Sequence, residues 1–67
     1  MTTDDLIRTI KKFTEANGRG PNSVSELQMA LVSSLGVSVD EFDVRELLEV
    51  AISTGLVHVN AQGCFAC

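Results

Sequence analysis

Apolar residues recur along this chain at helical spacing three times and at strand spacing once. Leu6, Ile7, Ile10 and Phe13 fall on one face of a helix predicted over residues 3–17, opposite Arg8, Lys11, Lys12 and Glu15. Thr2 or Thr3 can cap it, Asp4 and Asp5 suit the positive end of its dipole, and Gly18 stops it. After a turn, "GRGPN", the run Ser23-Val24-Ser25-Glu26 has the form of a capping box. It opens a second helix with Leu27, Ala30, Leu31 and Leu35 inward, Met29 and Val32 widening the apolar surface, and Gly36 at the end. Two further boxes follow, Ser38…Glu41 and Asp43…Glu46. The second precedes the better stripe (Val44, Leu47, Leu48, Ala51 and Ile52). A third helix is therefore predicted from Asp43 until Gly55 ends it, with 38–42 a short turn and Phe42 packed inward. "LVHVN" then alternates as a strand, "NAQG" turns, and "CFAC" returns as a second strand.

Three helices and a C-terminal hairpin define an α+β chain that forms one domain over residues 1–67. This order resembles the winged helix-turn-helix superfamily. The likeness is carried by "IKKFTEANGRGPNSVSELQMAL", similar to the first helix and turn of such domains, and by "LLEVAISTGLVHV", similar to their last helix running into the wing. It covers essentially the whole chain and concerns the fold. Two departures stand out. The strand usual between the first two helices is not expected, because "GRGPN" is short and polar, and the wing is very short.

At 67 residues the chain is near the small end of those that fold alone. Apolar residues make up 45% of it, too many for a disordered tail, and with no Trp or Tyr the core must be aliphatic. No apolar run reaches the roughly 20 residues of a membrane span. The N-terminus lacks the basic and apolar regions of a signal peptide, and Met1 reads as an initiator, so the expected compartment is the cytosol.

Charge changes the picture. Residues 1–37 balance Arg8, Lys11, Lys12 and Arg19 against Asp4, Asp5, Glu15 and Glu26. The whole excess, net −4, comes from Asp40, Glu41, Asp43, Glu46 and Glu49 against Arg45. In the resembled superfamily the third helix meets the major groove of DNA. Affinity for DNA comes largely from neutralised phosphates, which this face would repel. A charged outward face is ordinarily just solvated. The helix dipole accounts for Asp40, Glu41 and Asp43 in that way, and less well for Glu46 and Glu49. The primary expectation is a regulatory module whose Asp40, Glu41, Asp43, Arg45, Glu46 and Glu49 bind a protein with a basic surface. The partner would be a nucleic-acid-binding protein that the module inhibits or adapts. Met29, Val32, Val57 and Val59 are candidates for the apolar hold. The alternative is a DNA-binding regulator, dimeric, contacting phosphates through Arg8, Lys11, Lys12, Arg19 and Arg45, with the competing reading that Glu15 pairs with Lys11 or Lys12 on a solvated face. A homo-oligomerisation domain is the third class.

Candidate chemistry is sparse. Cys64-Phe65-Ala66-Cys67 and His58 offer three zinc ligands where a structural site usually wants four, and residues i and i+3 of a strand point to opposite faces. As a redox pair the cysteines lack a helix N-terminus, and as a prenylation box they match loosely. The simpler reading packs Cys64 or Phe65 in the core and leaves Cys67 at a frayed end. "EANGRGPNSVSE" places Gly20 and Glu26 as a calcium-binding helix-loop-helix would, but Arg19 stands where an oxygen ligand is required. There is no nucleophile–base pair and no glycine-rich phosphate loop. No enzyme and no cofactor are expected.

Overall fold

The computed structural model describes residues 1–67, in the order α1 (Thr3–Asn17), α2 (Val24–Leu35), α3 (Glu41–Ser53), β1 (His58–Val59) and β2 (Phe65–Ala66). The architecture is α+β, three packed helices followed by an antiparallel hairpin. No helix is long and apolar enough to cross a membrane.

The first two helices start where a side chain satisfies one of their free N–H groups. Thr2 caps α1 through a reciprocal box: the Asp5 N–H donates to Thr2 Oγ1 at 3.2 Å, and the Thr2 N–H donates to Asp5 Oδ2 at 3.0 Å. These bonds hold the Asp5 carboxyl below its ordinary range, the Thr2 N–H being the largest cause. Ser23 caps α2 by accepting from the Glu26 N–H at 3.1 Å. The other half of that predicted box does not form. The Glu26 carboxylate instead accepts from the Asn22 N–H and from Arg19. Gly18 and Gly36 close α1 and α2 in the left-handed conformation, φ 74° and 71°, which glycine adopts without a Cβ penalty.

Helix α3 starts two residues earlier than the apolar stripe suggested. The Val44 N–H donates to the Asp40 carbonyl at 3.1 Å, so helical bonding begins at Asp40, and Glu41 and Phe42 of the expected turn are already helical. Asp40 is the N-cap, and neither its side chain nor that of a predicted box residue makes the cap bond. The shift overturns the placement of Phe42. Two residues before Val44 on a helix is about 200° around the axis, so Phe42 points away from the core and is 62% exposed. Ile52, expected inward, lies at the edge of the stripe and is 40% exposed.

The core is Leu6 and Ile10 of α1, Leu27 and Leu31 of α2, Val44, Leu48 and Ala51 of α3, and Val57 from the segment entering the hairpin. It is wholly aliphatic, and Cys64 is buried outside this cluster. Val57, a candidate for an exposed patch, is core; the alternation of "LVHVN" puts one valine in and leaves Val59 out.

The hairpin pairs His58 with Ala66 and Val59 with Phe65. Asn60 organises its turn, its Oδ1 accepting from the N–H groups of Gln62 and Cys64, both at 3.0 Å. The segment joining α1 to α2 is not merely a turn. The Phe65 N–H donates to the Pro21 carbonyl at 2.8 Å, and Gly20 and Pro21 are buried against β2. A Cβ on Gly20 would sit 1.9 Å from the Phe65 carbonyl oxygen, so only glycine allows the two backbones to meet. A strand-like contact thus occupies the place where no strand was expected, because a buried glycine and a proline carbonyl suffice for it.

Candidate functional site: the acidic third helix

Burial of Val44, Leu48 and Ala51 fixes the rotation of α3 and with it the direction of every other side chain on the helix. Asp40, Glu41, Asp43, Arg45, Glu46 and Glu49 are all exposed. None takes part in an ion pair, and Arg45 does not bridge to the carboxylates around it. The helix therefore presents its negative charge to solvent, uncompensated by the protein's own cations.

Beside this charge runs an open groove of about 840 Å³ between α3, the C-terminal end of α2 and the loop before α3. Asp40, Asp43, Glu46 and Glu49 line it together with Leu47 and Val50 on the α3 side. Leu35, Val37 and Val39 line it from α2 and the loop, with Met1 nearby. Gln28 fixes the loop by donating from Nε2 to the Val39 carbonyl at 2.8 Å, which ties α2 to the start of α3. Val37 and Val50 are 59% and 55% exposed, so the groove carries apolar surface that the fold leaves wet. No Lys or Arg lines it.

The hold expected at Met29, Val32, Val57 and Val59 is not assembled there. Met29 lines a separate groove between α1 and α2, and Val57 is buried. The apolar residues next to the acids are Val37, Val39, Leu47 and Val50. A signal for two of them existed: Val37 lies in the loop and Val50 off the buried stripe, so both are apolar with no place in the core, whereas Val39 and Leu47 pack partly against it.

The basic set is split. Arg8, Lys11 and Lys12 are exposed on α1 without ion-pair partners, and Glu15 pairs with neither lysine. Arg19 does not join them. Its guanidinium forks onto Glu26 at 2.8 and 3.3 Å, donates to the Gly20 carbonyl at 2.9 Å, and lies 5.6 Å from the centre of the Phe13 ring. The arginine raises no conflict with its surroundings: the Glu26 carboxylate raises its pKa, and Arg19 lowers that of Glu26 in return. The same pair engages the carboxylate that would complete the calcium-loop pattern.

Cys64 is buried, Cys67 is exposed with its thiol 3.9 Å from the Ile7 carbonyl, and burial pushes the Cys67 thiol up against the opposing pull of Lys11. His58 is exposed on β1. No three His, Cys, Asp or Glu side chains converge as a metal site would require.

Comparison with protein-family models, with curated proteins and with solved structures returns no match to this chain.

Proposed function

We propose that this chain is a non-enzymatic binding module whose third helix engages a basic surface on a partner protein. One observation carries the reading: five carboxylates on a single helix and its N-cap are exposed and unpaired, while the chain's one intramolecular ion pair, Arg19–Glu26, lies elsewhere. Such a face speeds and orients encounter with a cationic partner and repels a polyanion. A DNA-binding protein would offer the complementary surface, so inhibition or adaptation of such a partner is the role that fits best.

The DNA-binding alternative has some support in the helix order and in the strand-like contact of Pro21 with β2, which suit a winged-helix scaffold. Its charge is poorly placed. Arg45 is the only cation on α3, and Arg19 is held by Glu26. Self-association through α3 would set like charges together.

A paired titration tests the reading. A labelled lysine-rich peptide and a labelled mixed-sequence duplex are each titrated at about 20 mM salt, where electrostatic binding is strongest. The peptide is expected to bind, and Glu46→Lys/Glu49→Lys to weaken it by about tenfold. Binding of the duplex instead, lost on reversing Arg8, Lys11 and Lys12, would establish the DNA-binding alternative.

A further inference from the structure

Charge brings a partner to α3, but lasting contact needs apolar surface removed from water. The groove beside the helix supplies it, and its shape limits what fits. It follows α3 from Asp40 to Thr54, a helical rise of about 21 Å. On the α3 side the acids recur at helical spacing as Asp43, Glu46 and Glu49 with Leu47 and Val50 among them, and Val37 and Val39 line the groove from the loop.

We propose that this groove takes one cationic amphipathic helix of a partner protein. Building on the acidic-helix reading, the proposal adds the partner's conformation and the place where its apolar stripe rests. That stripe sits on Val37, Leu47 and Val50, and its lysines or arginines reach Asp43, Glu46 and Glu49. A helix presents apolar and cationic residues side by side along one line, which matches a groove that sets carboxylates and apolar side chains side by side. An extended polybasic segment would leave Val37 and Val50 wet. A nucleic acid, or a second copy of this chain docked through its own α3, would bring negative charge against the four carboxylates of the groove.

The test uses two labelled peptides of about 18 residues, long enough to span the groove as helices. Both contain the same leucines and lysines. One has the leucines at i, i+3, i+4 and i+7, and the other has them permuted to remove helical periodicity. At about 150 mM salt, where exposed charges are strongly screened, the amphipathic peptide is expected to bind about tenfold more tightly than the permuted one. Val37→Ser/Val50→Ser should abolish that preference and leave the permuted peptide's affinity unchanged. Both valines are exposed, and circular dichroism of the variant serves as the check that it is folded. Amide shifts of Val37, Leu47 and Val50 in the unaltered protein should move with the amphipathic peptide, giving a readout independent of the variant. Equal affinity for the two peptides, or a preference that survives the double substitution, would overturn the groove assignment while leaving the acidic-helix reading in place. Absence of binding by both peptides even at low salt would overturn both.

Discussion

At the scale of single residues, two positions carry consequences that their types alone do not announce. Gly20 is not in the left-handed region; it is glycine because the Phe65 carbonyl occupies the space a Cβ would need. Gly20→Ala should cost about 2–3 kcal/mol, the upper part of the usual range for overpacking, since the obstacle is backbone and cannot rotate away. In a domain whose net stability is only a few kcal/mol, urea denaturation should show most of the cooperative transition lost, and an unchanged midpoint would contradict the close approach. Thr9 is the opposite case. It is 2% exposed, and its Oγ1 has no hydrogen-bond partner. Thr9→Val keeps the branched shape and removes the stranded hydroxyl, so thermal unfolding should show a gain of about 1 kcal/mol. A loss would mean that the hydroxyl is bonded in solution. Neither feature was legible in the sequence, where Gly20 is one of several turn glycines and Thr9 one polar residue on a helix. Arg19 misleads in the same way: its charge counts toward a basic face until its neighbours show that Glu26 holds it.

At the scale of elements, the sequence announces the helices and hairpin through capping residues, stop glycines and apolar spacing, because these signals are local. The start of α3 failed as a prediction because two successive box patterns, Ser38…Glu41 and Asp43…Glu46, offered two starts and the helix caps at Asp40, between them. Choosing the later one turned Phe42 from an outward helical residue into an inward turn residue. The N-terminal signals also have a pH signature. Glu26 is held below its ordinary value of 4.5, first by Arg19 and then by the Asn22 N–H. Its ionised form is therefore favoured by folding. The resulting stability is fully present above that ordinary value and is lost as pH falls through the lower, folded one. Glu26→Gln should therefore be less stable than the parent at neutral pH, with the gap closing as the pH is taken through the acid range. A gap of constant size from neutral to strongly acid pH, followed by circular dichroism, would show that the loss is steric rather than electrostatic.

At the scale of the whole molecule, the charge asymmetry was legible from composition by segment: the first half balances and the excess begins at Asp40. The groove was not, because it depends on the end of α2 and the loop before α3 lying alongside α3, which no single segment encodes. The sequence placed the acids outward, whereas the apolar surface assigned to accompany them was spread over Met29, Val32, Val57 and Val59. Packing instead brings Val37 and Val50 to the carboxylates and draws Val57 into the core. The central claim concerns this face. It is tested most directly by mapping amide chemical-shift changes across the isotope-labelled protein as a lysine-rich peptide, and separately duplex DNA, is added. Shifts caused by the peptide should cluster between Val37 and Thr54 and shrink as salt is raised, while the duplex leaves that region unmoved. Shifts caused by the duplex at Arg8, Lys11 and Lys12, with α3 silent toward the peptide, would contradict the account.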